Sequence, residues 1–230
     1  VFPRELRDTP ELPSTTSEAS TVFLVDDDDR IRTSLARALE KRGYRVTTFA
    51  SAEAFLAIHD SRQPGCLVLD YGMPGLNGLE LQKRLMDDNV AIPVIFISGH
   101  GGISESVQAM KAGAVDFLEK PFRQATLIAC IEAAFETDSE ARAAKAVSKS
   151  THERFARLTA REQEVARFMI ENSSNTSSKE IGRQLSISPR TVDHHRARIL
   201  EKMEIKSVAQ LIDLSASAEL QQEGNPPIPD

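Results

Sequence analysis

Residues 22–49 have the sequence VFLVDDDDRIRTSLARALEKRGYRVTTF, in which a short apolar run, an amphipathic stretch and a second apolar run follow one another. Apolar runs of this length predict buried strands, and the stretch between them has helical spacing of its apolar residues. The alternation continues along the chain. Strands are predicted at 22–25, 44–49, 66–70, 94–98 and 114–118, and helices at about 29–42, 51–60, 78–88, 104–111 and 123–135. Strands that alternate with helices predict a parallel α/β sheet with helices on both faces.

The composition changes at both ends of this pattern and again within the carboxyl-terminal third. Residues 1–19, rich in Pro, Ser and Thr, are predicted to be a disordered arm before an α/β domain at 20–137. An exposed helical linker, rich in Ala and charge, is predicted at 138–153. A small all-helical domain is expected at 154–217, followed by a flexible tail at 218–230.

The composition also excludes several classes of protein. Two cysteines, Cys66 and Cys130, exclude a disulfide framework and fit the reducing cytoplasm. No apolar run approaches the ~20 residues that span a bilayer, so a cytoplasmic protein without a membrane partner is expected. The net charge of −6 argues against nucleic-acid binding, but residues 151–214 carry 11 basic against 9 acidic residues. The acidic excess therefore belongs to the rest of the chain.

Reactive side chains follow four of the predicted strands: Asp26, Asp70, Ser98 and Lys120. In an open parallel sheet, functional groups gather outside the carboxyl ends of the strands. Converging carboxylates suit Mg²⁺, and a carboxylate can attack phosphorus while a lysine and a hydroxyl stabilise the phosphoryl oxygens. The set predicts phosphoryl transfer onto Asp70. Taken alone, four aspartates such as those at 26–29 are more often a solvated charge run or the acidic first turn of a helix.

Four segments resemble the receiver domain of two-component response regulators: VFLVDDD (22–28), LVLDYGMPGLNGLEL (67–81), VIFISGHG (94–101) and MKAGAVDFLEKPF (110–122). The resemblance implies a flavodoxin-like (βα)5 fold that accepts a phosphoryl group from a cognate sensor histidine kinase. It assigns Asp70 as phosphoacceptor, Asp26, Asp27, Asp70 and the Gly72 carbonyl as the Mg²⁺ site, and Ser98, Phe117 and Lys120 as the groups that stabilise and follow the phosphoryl group. Gly72 and His100 flank this site and are expected to tune the phosphoryl lifetime.

The carboxyl-terminal third has only helical spacing. Thr159 and Glu162 have the spacing of a capping box, and Ser188 followed by Pro189 predicts the start of a helix over 189–203. A short helix before that turn completes a helix-turn-helix pattern, and the second helix carries a basic stripe formed by Arg190, His194, Arg198 and Lys202. A basic, solvated face on an ordinary helical bundle is the alternative at this point.

Three segments resemble the LuxR-type DNA-binding domain: LTAREQEV (158–165), SKEIGRQLSISPRTVDHHRARILEKM (178–203) and SVAQLI (207–212). Together with the receiver they resemble a FixJ/NarL-type response regulator. The resemblance places helix 189–203 in the major groove of promoter DNA. It assigns DNA contacts to Lys179, Arg190, Thr191, Asp193, His194, Arg196, Ala197, Arg198 and Lys202. It implies a homodimer on phosphorylation, with the helix around 207–215 as a dimer contact and RNA polymerase as a further candidate partner. The chain departs from the family at ENSSNTSSKEI (171–181), which is a few residues longer.

A Mg²⁺-dependent phosphatase of the haloacid-dehalogenase type is the rival hypothesis. The Asp26-x-Asp28 spacing matches its nucleophile pattern, and Ser98 resembles its second motif. The sequence has no paired acidic residues after a late strand, and this hypothesis leaves Asp70 without a role. We therefore expect a phosphorylation-dependent transcriptional regulator and not an enzyme.

Overall fold

The computed structural model describes residues 20–99, 102–172 and 177–219, and in it the first part of the chain forms a five-stranded sheet. The elements are β1 (Thr21–Val25), α1 (Asp29–Glu40), β2 (Arg45–Phe49), α2 (Ala52–Ile58), β3 (Gly65–Asp70), α3 (Gly78–Asp87), β4 (Val94–Ser98), α4 (Ile103–Lys111), β5 (Asp116–Glu119) and α5 (Gln124–Ala156). All pairings are parallel, in the order β2-β1-β3-β4-β5. This is the flavodoxin-like order, and it confirms the predicted α/β fold.

Helices cover both faces of the sheet, which explains why β1, β3 and β4 are buried along their whole length. One face packs on α1 and α5 through side chains that include Leu39 and Ile131. The other face packs on α2, α3 and α4 and includes Phe55 and Leu81. The sheet is thus the middle layer of a three-layer unit, and its carboxyl-terminal edge is left for functional groups.

The fifth strand begins at Asp116 and ends at Glu119, whereas the apolar pattern predicted 114–118. The amide of Ala114 still donates to the carbonyl of Ala109, which closes the end of α4. Gly113 allows this closure because its φ of +82° is in the left-handed region. The helix end therefore takes Ala114 from the predicted strand, whereas the amide of Val115 already donates to the carbonyl of Val94 in β4.

Helix α5 runs without interruption from Gln124 to Ala156, through the segment predicted as a helical linker. The helix contains neither Gly nor Pro and is rich in alanine, which favours its continuation. The chain divides into two units after Ala141, a few residues beyond the predicted boundary at 137. Asp138 explains the difference, because it is buried and accepts a hydrogen bond of 2.9 Å from the amide of Gly65.

Unit 2, which follows Ala141, is helical and contains the end of α5 and four further helices over the described residues. They are α6 (Ala160–Glu171), α7 (Ser178–Gln184), α8 (Pro189–Met203) and α9 (Val208–Glu219). The capping box of Thr159 and Glu162 is present in both directions, and Ser188 caps α8 with Pro189 in the first helical position. Apolar residues of α6, α7, α8 and α9 form the core, among them Val165, Ile181 and Val192.

The turn between α7 and α8 depends on close backbone packing. A Cβ atom on Gly182 would lie 2.6 Å from the carbonyl oxygen of Ile187, so this position requires glycine. The prediction of a helix, a turn and a second helix is confirmed. The predicted arm at 1–19 lies outside the described residues, as does the predicted tail at 218–230 apart from the end of α9. Among the described residues, no helix has the length and hydropathy to cross a bilayer.

Candidate functional site

Two carboxylates and a lysine meet at the carboxyl-terminal edge of the sheet. Asp26 follows β1, Asp70 ends β3, and Lys120 follows β5. The Lys120 ammonium donates hydrogen bonds of 2.8 Å to Oδ2 of Asp26 and 2.6 Å to Oδ1 of Asp70. Both aspartates are buried, and the Lys120 side chain is 18% exposed. Strands that are distant in sequence thus bring together three of the predicted site residues.

Burial and charge act against each other at this site. Burial raises the pKa of Asp26 above its ordinary value, and the hydrogen bond and charge of Lys120 offset this only in part. Burial would lower the pKa of Lys120, but its hydrogen bonds to Asp26 and Asp70 outweigh burial and raise it. The lysine is therefore held as a cation, while the carboxylates retain an excess of negative charge.

The loop from β1 to α1 presents the remaining predicted acidic group, Asp27, which is exposed beside the buried Asp26. The amide of Asp28 donates a hydrogen bond of 2.9 Å to Oδ1 of Asp26, and Lys120 contacts the other oxygen of the same carboxylate, so both oxygens are fixed. Asp28 itself caps α1, since its carboxylate accepts hydrogen bonds from the amides of Arg30 and Ile31. The carboxylate of Asp28 is thus engaged in capping, which disfavours the Asp26-x-Asp28 phosphatase pattern.

The loop after β3 holds Asp70 in place. The amide of Gly72 donates a hydrogen bond of 3.1 Å to Oδ2 of Asp70. A Cβ atom on Gly78 would lie 2.5 Å from the carbonyl oxygen of Asp70, so only glycine lets α3 begin this close to the strand end. The oxygens of Asp70 are therefore oriented by Lys120 on one side and by Gly72 on the other.

Ser98 and Phe117 occupy the neighbouring strands β4 and β5. Ser98 is buried at the end of its strand, and its carbonyl accepts a hydrogen bond of 2.7 Å from the amide of Lys120. Phe117 is half-buried, and its ring lies edge-on to Tyr71, with centroids 5.9 Å apart. Because Tyr71 directly follows Asp70, aromatic contacts connect the end of β3 to β5. The remaining residue expected at this edge, His100, lies outside the described residues.

The donor set matches a hard divalent cation in its chemistry. Two buried carboxylates, those of Asp26 and Asp70, contact one ammonium group, that of Lys120, and Asp27 adds an exposed carboxylate to the same loop. Among the described residues, no three His, Cys, Asp or Glu side chains form a group that could hold a metal ion by themselves. Mg²⁺ needs fewer protein ligands than such a group provides. It commonly binds one or two carboxylates and completes its coordination shell with water and phosphate oxygens.

In unit 2, the predicted DNA-binding residues lie on α7 and α8. The exposed members of this set are Lys179, Arg190, Thr191, Asp193, His194, Ala197 and Arg198. Arg196 is half-buried and donates a hydrogen bond of 3.3 Å to the hydroxyl of Ser178, which also bonds to the Asp193 carboxylate. This network joins the start of α7 to α8. The lengthened loop that precedes it includes residues 173–176, which lie outside the described residues.

Lys202 differs from the others. Its ammonium donates a hydrogen bond of 2.6 Å to Oε2 of Glu162, and its side chain is 30% exposed. Glu162 is buried, which would raise the pKa of its carboxyl, but hydrogen bonds from Lys202 and Thr159 lower it below its ordinary value. The structure therefore places Lys202 in a contact between α8 and α6, and not on the outer basic stripe predicted from its spacing.

Comparison with known proteins agrees with both units. Residues 22–132 match the response regulator receiver domain, and residues 156–215 match the luxR family of bacterial regulatory proteins. The transcriptional regulatory protein FixJ of Bradyrhizobium diazoefficiens is 40% identical over 197 residues, which are 86% of this chain and 95% of FixJ. The chain belongs to the FixJ/NarL-type response regulators. The predicted family is thus confirmed, and neither match supports the phosphatase hypothesis.

Further relatives of this response regulator include TodT of Pseudomonas putida, 38% identical over 194 residues that make up 84% of each chain. Among solved structures, the response regulator StyR aligns with a TM-score of 0.75 and 40% identity, covering 86% of this chain and 98% of StyR. Full-length FixJ from B. japonicum aligns with a TM-score of 0.52 and 38% identity. Receiver domains generally bind Mg²⁺ at the phosphorylation site, and the family consists of DNA-binding transcription regulators.

Three residues of this response regulator contribute contacts that the sequence analysis did not single out. Tyr71 packs on Phe117, and its position directly after Asp70 is the only signal of that contact. Arg32 binds the acidic loop, and the spacing of Asp29 and Arg32 along one helix indicates part of this contact. Glu162 was recognised as a capping residue, but its contact with Lys202 joins two helices that are distant in sequence.

Proposed function

We propose that Asp70 accepts a phosphoryl group from a histidine kinase and that this modification controls binding of the chain to promoter DNA. The observation that carries the proposal is the contact of the Lys120 ammonium with Oδ1 of Asp70, at 2.6 Å, and with Oδ2 of Asp26, at 2.8 Å. Asp26 holds the Lys120 ammonium beside Asp70, so this cation is placed to bind the oxygens of an incoming phosphoryl group.

In the proposed transfer, a carboxylate oxygen of Asp70 forms a bond to phosphorus while the nitrogen–phosphorus bond of the kinase phosphohistidine breaks. The departing nitrogen keeps the electron pair of the broken bond, the proton on the other ring nitrogen makes the leaving group a neutral imidazole, and Asp70 becomes an acyl phosphate. The Lys120 ammonium neutralises part of the charge on the phosphoryl group, and the Ser98 hydroxyl is the donor on the neighbouring strand. Ser98 lies beside Glu119 of β5 in the sheet, so movement of Ser98 toward the phosphoryl group would alter the surface of that strand, which also carries Phe117.

The residues at the strand ends fit Mg²⁺ as the cofactor. Asp27, Asp70 and the Gly72 carbonyl would hold the ion, with Asp26 acting through water. When bound, Mg²⁺ neutralises charge on the transferring phosphoryl oxygens. Burial raises the pKa of Asp26 in spite of its contact with Lys120, so a further cation nearby would favour its charged form.

The surface around α4 and β5 is proposed to form a homodimer after phosphorylation. Ile103, Val107 and Met110 repeat at helical spacing along α4 and are 86%, 44% and 48% exposed. An exposed apolar stripe of this kind is typical of a surface that pairs. A dimer would present two copies of α8 to adjacent half-sites, in which the exposed residues of α7 and α8 contact phosphates and base edges.

The proposal is tested by exposing the full chain to Mg²⁺ and acetyl phosphate, with beryllofluoride as a stable mimic of the phosphoryl group. We expect a mass gain of one phosphoryl group, conversion to a dimer and an increased affinity for duplexes selected from a random DNA pool. Asp70→Asn is expected to abolish all three responses. The matched control is Asp60→Asn, because Asp60 is an exposed aspartate in the loop before β3.

Two results would contradict the proposal. The first is the absence of an adduct on the unmodified chain. The second is an equal affinity for DNA with and without the adduct, since that would separate phosphorylation from DNA binding. Release of phosphate from small esters that persists in Asp70→Asn would instead favour the phosphatase hypothesis.

A further inference from the structure

Arg32 of α1 forms hydrogen bonds to the acidic loop between β1 and α1. The Arg32 guanidinium folds back over the loop, and its Nη1 donates a hydrogen bond of 2.7 Å to the backbone carbonyl of Asp26. Its Nη2 donates a hydrogen bond of 2.7 Å to Oδ1 of Asp29. The side chain of Arg32 is only 15% exposed, although it belongs to the solvent-facing start of a helix. Arg32 is therefore packed against the loop.

These contacts differ from an ordinary surface ion pair. A planar guanidinium can bind a carbonyl and a carboxylate together in a fixed geometry, which a lysine ammonium cannot reproduce. A longer contact of 3.5 Å also joins Nη1 to the carbonyl of Asp27. Arg32 thus reaches the backbone of both residues whose side chains form the acidic pair. The carboxylate of Asp26 binds Lys120 and not Arg32.

We infer that Arg32 is a positioning residue for the divalent cation of the phosphoryl-transfer site, an inference that rests on the function proposed above. By fixing the carbonyls of Asp26 and Asp27, it fixes the backbone from which the two carboxylates project. Groups that orient metal ligands through hydrogen bonds contribute strongly to metal affinity, although they do not touch the metal.

Because Arg32 is charged, its effect through electrostatics and its effect through positioning predict opposite changes in Mg²⁺ affinity when it is replaced. A guanidinium close to the acidic loop repels a second cation, so electrostatics alone predicts that its removal tightens Mg²⁺ binding. Loss of the backbone contacts predicts the opposite, because Asp26 and Asp27 would then sample other directions. Arg30 is the matched control, since it is exposed on the same helix and carries the same charge.

The experiment titrates the full-length chain with Mg²⁺ alone and follows the backbone amide chemical shifts of residues 26–29. Arg32→Met is expected to raise the Mg²⁺ dissociation constant about tenfold, in the range seen for groups that orient metal ligands. Arg32→Lys keeps the charge but not the geometry, and should give a smaller increase in the same direction. Arg30→Met should leave the dissociation constant unchanged or lower it. Should Arg32→Met fail to fold, Arg32→Lys and Arg30→Met decide the question.

Phosphorylation by acetyl phosphate gives a second measurement. The rate in Arg32→Met should fall at limiting Mg²⁺ and return close to that of the unmodified chain at saturating Mg²⁺, which general damage to the fold would not produce. Mg²⁺ binding by Arg32→Met that is equal to or tighter than that of the unmodified chain would overturn the role of Arg32 and leave the proposed function intact. Failure of the unmodified chain to bind Mg²⁺ or form an adduct would overturn both.

Discussion

Each unit of the molecule holds a lysine ammonium against acidic side chains, but the balance of charge differs. At the sheet edge of unit 1, Lys120 contacts the two buried carboxylates of Asp26 and Asp70. Between α6 and α8 of unit 2, Lys202 contacts Glu162. The pKa of Asp26 is raised because burial outweighs Lys120, whereas the pKa of Glu162 is lowered because hydrogen bonds from Lys202 and Thr159 outweigh burial.

The opposite pKa directions of Asp26 and Glu162 agree with the proposed functional site in unit 1 and a structural contact in unit 2. Where carboxylates outnumber the cation, the site retains negative charge and can accept a further cation, at a cost to the stability of the fold. Where the charges are matched and the carboxylate also caps a helix, the contact stabilises the fold and has no spare capacity. Neutralising one carboxylate in each unit should therefore change stability in opposite directions.

The largest expected effect is in unit 2. Glu162→Gln keeps the capping geometry but loses the charged contact with Lys202, and should destabilise unit 2 by about 2 kcal/mol. Because the folded-state pKa of Glu162 is lowered, its contribution is present above the ordinary value of 4.5 and is lost as the pH falls through the folded-state pKa. The unmodified chain and the variant should therefore converge in stability well below pH 4.5. Hydrogen exchange of the α8 amides in the full chain measures the difference.

Glu164→Gln is the control for this prediction, because Glu164 lies on the same helix and is 50% exposed in its pair with Arg161. Its effect should stay within about 0.5 kcal/mol, as for most surface substitutions. Equal protection of α8 in Glu162→Gln and the unmodified chain at neutral pH would show that the Lys202 contact contributes nothing to stability.

A smaller effect of opposite sign is expected in unit 1. Asp26→Asn removes a buried carboxylate whose burial outweighs its contact with Lys120, and should stabilise unit 1 by about 1 kcal/mol at neutral pH in the presence of a chelator. The folded-state pKa of Asp26 is raised, so the associated stability is complete below 3.8 and is lost as the pH rises through the folded-state pKa. The advantage of the variant should therefore vanish below pH 3.8.

Urea unfolding followed by tyrosine fluorescence measures this change selectively, because the two tyrosines, Tyr44 and Tyr71, both lie in unit 1. Asp88→Asn serves as the control, since Asp88 is 59% exposed and lies 3.9 Å from Arg84. A lower urea midpoint for Asp26→Asn than for the unmodified chain at pH 7 would mean that the contact with Lys120 outweighs burial.

The same comparison explains which features were predictable from the sequence. A parallel sheet brings all strand ends to one edge, so Asp26, Asp70 and Lys120 could be placed together from their positions after separate apolar runs. The helix caps at Thr159 and Ser188 were predictable because capping is a local interaction. The order of strands and helices followed from the alternating apolar runs, and the family resemblance supplied the roles of the site residues.

Contacts between helices could not be predicted in this way. Helical spacing placed Lys202 on a stripe with Arg190 and Arg198, but spacing does not show which other helix covers part of that stripe. Glu162 is 40 residues away, on a helix whose packing depends on the whole core of unit 2. Likewise, the burial of Asp138 beneath Gly65 joins residues 73 positions apart and follows from the length of α5.

The smallest expected effect is on the salt dependence of DNA binding. It tests whether Lys202 contacts DNA or serves only in the contact with Glu162. Each phosphate contact that is lost should reduce the slope of log affinity against log salt by about 0.9. Arg190→Ala, which removes an exposed cation at the start of α8, should lower the slope by about that amount per bound copy. Lys202→Met should leave the slope unchanged, because the Lys202 ammonium is bound to Glu162.

The measurement uses one fixed duplex and the phosphorylated chain, at a temperature where hydrogen exchange shows α8 to be folded in both variants. An equal loss of slope in Lys202→Met would mean that Lys202 leaves Glu162 when DNA binds, and the contact between α6 and α8 would then be part of DNA recognition.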